Sequence, residues 1–178
     1  MDNNAVKDSK YPYTGQQGSS CSASDYDSTP AKVDEWRTLT QYDTEQMKRA
    51  IATQPIAVGV YADDSFMNYG GDIYDTELPR LCKFKADHCM NHAVTLIGYG
   101  VDETTKSEYW ILRNSWGTAW GEDGYMKVLI DDTDLGIAAI NTNAFVPLVK
   151  SAGSDSGAAN IFGLGSTFVA IFAAFLSF

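Results

Sequence analysis

Residues that carry chemistry are scarce in this chain. Its 178 residues include two histidines, His88 and His92, and three cysteines, Cys21, Cys82 and Cys89. Zinc-finger and multi-site metal readings need more of both, so they are excluded and no metal site is expected. Positive charge is also short: 13 Lys and Arg face 23 Asp and Glu, a net charge of −10. Neutralising phosphates takes a basic face, and no run of basic residues supplies one. A nucleic-acid partner is therefore not expected, and electrostatic attachment to an anionic membrane is disfavoured. The first residues, MDNNAVKDSKYPYTG, contain no apolar run and do not form a signal peptide. No internal repeat appears. The hydrophobic fraction is 44% and the aromatic fraction 12%, which suits a globular chain with length for one compact domain.

The cysteine count is odd. Cys82 and Cys89 are close enough in sequence to close a small loop. Cys21 is then left either as a free, half-buried thiol or with a partner in a part of the protein outside this chain.

Charge is unevenly spread. Residues 1–150 hold all 13 basic residues and 22 of the 23 acids. Residues 151–160, SAGSDSGAAN, form a small polar linker. Residues 161–178, IFGLGSTFVAIFAAFLSF, carry no charge and 13 hydrophobic side chains. As a helix this tail would be about 27 Å long, close to the thickness of a bilayer core. Small residues, a polar spacer and an apolar end fit a GPI-attachment signal, with Gly153, Ser154, Ser156 and Gly157 as candidate sites. A transmembrane tail and a buried C-terminal helix are the alternatives. A GPI signal acts only on a chain that enters the secretory route, so this reading expects a leader upstream of Met1.

The body reads as strands around one helix. Asp43 or Thr44 can cap a helix over 44–53, with Met47, Ala50 and Ile51 on one face and Pro55 as its stop. Residues 56–61, 93–100, 109–114 and 124–130 are strand candidates, and 101–108 is a hairpin loop. The pattern suggests a small antiparallel barrel or half-barrel.

Two segments hold the chemistry, MNHAVTLIGYG over 90–100 and YWILRNSWGTAWGEDGYMKV over 109–128. His92 starts one strand candidate and Asn114 ends the next. Pairing across the 101–108 loop brings these ends together. A lone histidine at a strand end is more often structural. Here, however, an amide oxygen can fix the imidazole, and Trp116 and Trp120 stand close by to keep water off the bond. A base oriented by a third group is two-thirds of a nucleophilic triad.

These two segments resemble the histidine and asparagine motifs of the papain-like cysteine proteases, cathepsin L-like members included. YPYTG (11–15), QPIAVGVYADDSFMNYGGDIY (54–74) and NAFVPLV (143–149) are similar to other stretches of that family, so the resemblance covers roughly 11–149. It implies an α+β fold: the antiparallel, barrel-like right-hand domain over 1–150, with a short helix, followed here by the hydrophobic tail. It implies a peptide or protein substrate and no cofactor. His92 would be the general base and acid, Asn114 its orienter, and Trp116 the shield of their hydrogen bond. Trp120 would pack on the leaving-group side. Met90 would line the pocket for the substrate's second residue on the acyl side, and Asn91 would offer backbone contacts. His88 has no counterpart.

The departures are as informative. The family's nucleophile lies in a Q-x-G-x-C-G-S-C-W segment, which is absent, and so is the glutamine of the oxyanion hole. QQGSSCS (16–22) is a decoy, because it follows YPY and lacks the tryptophan. By the resemblance Cys21 is structural, with its partner in the missing N-terminal half. Many members bridge a cysteine before the histidine motif to one near the C-terminus. The segment DTDLGIAAI (132–140) has none, so a local Cys82–Cys89 disulfide is expected. The pocket-floor residue near 139–143 is ambiguous, because the spacing from GIA to Pro147 is longer than in the family. Two functions follow: part of an endopeptidase of the secretory, lysosomal or extracellular route, inactive as this chain alone, or a truncated homologue that binds peptides or proteins.

Overall fold

The computed structural model describes residues 6–7, 9–12, 33–84, 89–131 and 133–149. Cys21, His88, the linker and the apolar tail lie outside them. Among the described residues no helix is long and apolar enough to cross a membrane.

Among the described residues seven strands form one sheet in the order β1-β7-β2-β4-β5-β6-β3. They are β1 Glu35–Thr38, β2 Ile56–Val60, β3 Ile73–Tyr74, β4 His92–Val101, β5 Glu108–Arg113, β6 Tyr125–Leu129 and β7 Ala144–Leu148. All pairings are antiparallel except β3 with β6. The sheet is therefore mixed and linear in order, with β1 and β3 at its edges, within an α+β fold. Helix α1 spans Thr44–Ile51, and two single-turn helices follow, α2 Asp64–Met67 and α3 Arg80–Phe84.

Local chemistry accounts for these elements. Asp43 caps α1 by accepting from the Gln46 N–H at 2.7 Å. Met47, Ala50 and Ile51 are its buried face. The helix stops before the expected residue 53, where the Thr53 N–H and hydroxyl both donate to the Ala50 carbonyl, at 3.0 and 2.7 Å, in a tighter turn that leads into Pro55. The β4–β5 hairpin closes over Asp102, whose carboxylate accepts from the Thr104 and Thr105 N–H groups at 3.0 and 2.7 Å. Its register shifts between Leu96 and Gly98, a bulge. Gly100 faces Tyr109 across the hairpin, and a Cβ there would lie 2.8 Å from the tyrosine ring. That ring occupies the space a side chain would need.

Strands β4, β5 and β6 alternate buried and exposed positions, and their inward residues make the main core. Leu96, Trp110, Leu112, Met126 and Val128 are each 0% exposed. Each such side chain contributes roughly 1.5–3 kcal/mol on burial. A smaller core of Leu78, Cys82 and Ala139 sits apart, flanked by Tyr61, Cys89, Met90 and Leu135.

Candidate active site

The hairpin brings the two polar ends together. His92 opens β4 and pairs with Val60 of β2. Asn114 follows the last residue of β5, and its N–H donates to the Gly124 carbonyl at 2.9 Å. His92 Nε2 and Asn114 Oδ1 lie 2.9 Å apart. The amide orientation is set by the backbone, because the Ser115 N–H donates to the same Oδ1 at 2.7 Å. Turning the amide over would set two donors against each other. Oδ1 therefore faces the imidazole and Nε2 must carry a proton, so that in the neutral ring the lone pair sits on Nδ1. The cost of this orientation falls on Asn114 Nδ2, which is buried without a partner among the described residues.

Aromatic rings hold the imidazole from behind. Trp116 stacks on His92 with centroids 4.7 Å apart and 26° between planes. Trp120 meets Trp116 edge-on at 5.3 Å, and its Nε1–H donates to the Met67 carbonyl at 2.9 Å. Beneath them lies Phe66, 0% exposed. It stacks on Trp120 at 5.8 Å and turns an edge to Trp116 at 6.1 Å and to His92 at 6.4 Å. Such geometries add about 0.5–1.5 kcal/mol each beyond burial.

Phe66 belongs to no motif of its own in the sequence. Its signal is the cap three residues before it. Asp63 accepts from the Phe66 N–H at 2.9 Å, from Ser65 Oγ at 2.7 Å and from the Tyr74 hydroxyl at 3.2 Å. Partial burial pushes the Asp63 carboxyl up, but these hydrogen bonds outweigh it and hold the group below the usual aspartate range.

The residues just before His92 are fixed differently. The Asn91 side chain is paired with the Ala62 backbone: it accepts from the N–H at 2.8 Å and donates to the carbonyl at 2.9 Å. Its own N–H donates to Val60 at 3.2 Å. Any contact of Asn91 with a peptide is thus left to the remaining backbone. The Met90 sulfur lies 3.4 Å from Asn143 Nδ2, which donates to it. A Cβ on Gly59 would come within 2.9 Å of that sulfur. Gly59 and Asn143 therefore both pack against the Met90 sulfur. Asn143 belongs to the stretch whose pocket-floor residue the sequence leaves ambiguous, and nothing in the sequence marks Gly59. Cys82 and Cys89 form a disulfide with Cα atoms 5.5 Å apart. Among the described residues no three His, Cys, Asp or Glu side chains are placed to hold a metal ion.

Comparison with known proteins gives this geometry its context. The family model described as "Papain family cysteine protease" matches residues 1–148. Fruit bromelain of Ananas comosus is 33% identical over 126 residues, covering 71% of this chain and 33% of the relative. Macrodontain-1 of Ananas macrodontes is 37% identical over 130 residues, covering 72% of this chain and 54% of the relative. The solved structure of the bromelain protease from Ananas comosus in complex with the E64 inhibitor superposes with a TM-score of 0.67 at 30% identity, over 78% of this chain and 60% of that one. The chain thus spans between a third and about half the length of these two curated relatives. On its family match, this chain belongs to the papain family of cysteine proteases.

Proposed function

We propose that this chain is the histidine- and asparagine-bearing part of a papain-like cysteine endopeptidase. The observation that carries the reading is the His92–Asn114 pair, whose backbone-set amide leaves Nδ1 free to take a proton. His92 Nδ1 accepts the proton of a thiol, and the thiolate attacks the scissile carbonyl. The imidazolium then protonates the departing amine, and a thioester remains. The same nitrogen next deprotonates water, which hydrolyses the thioester and restores the thiol. Asn114 keeps the ring oriented, and the stack of Trp116 on His92 keeps water from their bond.

The thiol is not among the groups described. Cys82 and Cys89 are joined to each other, and no Q-x-G-x-C-G-S-C-W segment occurs in the sequence. The nucleophile and oxyanion donors would come from the length of the relatives that this chain does not span. Alone, the chain is expected to show no peptidase activity. The same missing nucleophile favours the second reading, a homologue that binds peptides or proteins without cleaving them.

The test is to co-express the full chain with the nucleophile-bearing half of a papain-family relative. Complex formation and hydrolysis of a fluorogenic peptide are both measured. The peptidase reading expects a complex that cleaves, with His92→Ala lowering the rate by up to about 10⁶-fold, the loss seen on removing one triad member of a serine protease. A complex that forms and does not cleave sinks it in favour of the binding reading.

We also infer passage through the secretory route, to a lysosomal, vacuolar or extracellular destination, with residues 161–178 as a GPI-attachment signal. The disulfide supports an oxidising compartment. Mass spectrometry of protein released from cells by a phospholipase specific for such anchors tests the tail. An intact C-terminal Phe178 would count against it.

A further inference from the structure

We propose that the Cys82–Cys89 disulfide is a clamp for the Met90 wall, so that opening it loosens Met90 while leaving the His92–Asn114 pair in place. Only the peptide-binding meaning of Met90 rests on the proposed function; the clamp itself does not.

Met90 is held from both sides along the chain. Downstream, Asn91 is fixed by its amide pairing with Ala62 at 2.8 and 2.9 Å. Upstream, Cys89 is fixed by its bond to Cys82. Met90 is therefore anchored on both sides, one side by hydrogen bonds and the other covalently. Cys82 is 2% exposed and belongs to the small core with Leu78 and Ala139. Cys89 and Met90 pack against this small core only as partly buried residues, so the covalent link adds an upstream restraint that this packing does not supply.

The Met90 sulfur lies over Gly59 and accepts from Asn143 at 3.4 Å. A thioether is a weak acceptor, so this contact does not hold the side chain by itself. Asn143 is in turn set on β2, where its carbonyl accepts from the Gly59 N–H at 3.0 Å. The wall thus has a fixed floor and a side chain kept over it by the clamp. His92 is secured separately, by Asn114, Trp116 and the β2 pairing. Opening the disulfide removes the upstream anchor of Met90 and none of the restraints on His92.

The opening step is a thiol–disulfide exchange with a small dithiol. One dithiol sulfur attacks the Cys82–Cys89 bond and forms a mixed disulfide, and the second resolves it. The two cysteines gain two electrons and two protons, and the dithiol closes into its own oxidised ring.

The experiment uses the full chain with ¹³C-labelled methionine methyls and ¹⁵N-labelled histidine, compared before and after reduction and in the Cys82→Ser/Cys89→Ser variant. Met90→Leu assigns the Met90 signal. Met47 and Met126, 1% and 0% exposed, report the main core. The expected result is loss of the folded-state Met90 methyl position, with Met47, Met126 and the protonated-Nε2 signature of His92 unchanged. A Met90 signal that does not move on reduction overturns the proposal. Collapse of all three methionine signals together also overturns it, since the bridge would then hold the whole domain. None of these signals needs a peptide to be cleaved, so the clamp can fail or stand independently of the peptidase reading. In an assembled, active enzyme the double-serine variant is expected to raise KM and leave kcat unchanged. A fall in kcat at constant KM would refute the pocket role.

Discussion

The two sides of His92 are built by different means. On one side, Asn114, Trp116, Trp120 and Phe66 are held by long paired strands and stacked rings, with Phe66 0% exposed at the centre. On the other, Met90 is held by a disulfide, one amide pair and a turn with unusual backbone. In that turn Ala138 and Ala139 have φ of 54° and 60°, the left-handed region that costs a residue with a Cβ about 1–2 kcal/mol. The difference teaches that the His92–Asn114 geometry is secured by the main core, whereas the Met90 segment beside it is stapled on. The first should fail only with the fold. The second can be perturbed by itself.

The largest test of that contrast compares one residue from each side. Phe66→Ala removes the platform under three rings and is expected to cost about 3–5 kcal/mol in denaturant unfolding. It should also alter tryptophan fluorescence, since Trp116 and Trp120 both pack on it. Leu78→Ala, in the small core, is expected near the low end of the range for such truncations, about 2 kcal/mol. A Leu78 variant as costly as the Phe66 variant would break the comparison.

Gly59→Ala sharpens it. The added methyl would lie 2.9 Å from the Met90 sulfur, so Met90 must move. Overpacking of this kind costs about 1–3 kcal/mol. The His92–Asn114 hydrogen bond should survive, and its Nε2–H proton should keep its slow exchange. Loss of that signal in a folded variant would mean that the two sides are coupled after all.

These residues also mark what the sequence could disclose. Helix α1, β2, β4, β5 and β6 were legible within one or two residues, because their buried positions recur at helical or strand spacing between clear stops, whereas β7 was marked only by the resemblance of residues 143–149 to the family. β1 was not: all four of its residues are exposed, so no alternation existed to read. β3 has two residues, too few for a period. The meeting of His92 with Asn114 followed from one hairpin. Phe66, Gly59 and Asn143 reach the site through packing between separate elements, and nothing in local sequence announces which apolar or small residue will lie under a given ring or sulfur.

The smallest expected effect is a pH dependence on the aromatic side. Asp63 caps α2 and supports Phe66 through the Phe66 N–H at 2.9 Å. Its carboxyl is pushed up by burial and held below its usual value by the stronger pull of Ser65, the Phe66 N–H and Tyr74. A group whose folded value is depressed contributes stability above its unfolded value, near 3.9 for aspartate, and loses it as pH falls through the folded value. The side chain is only partly buried, so solvent screening limits this term to no more than about 1 kcal/mol. Asp63→Asn keeps a capping oxygen and removes the charge. Its unfolding free energy should therefore lie below that of the parent chain at neutral pH and converge on it under pH 4 or so, where the parent's own carboxylate is taking up its proton. Among the described residues no carboxylate is hydrogen-bonded to Met90 or Asn143, whose side chains contact each other, so Asn143→Ala should shift stability by the same amount at both pH values. A gap between parent and Asp63→Asn that stays constant with pH would show that the cap acts through geometry alone, and the contrast between the two sides of His92 would then rest on packing without an electrostatic part.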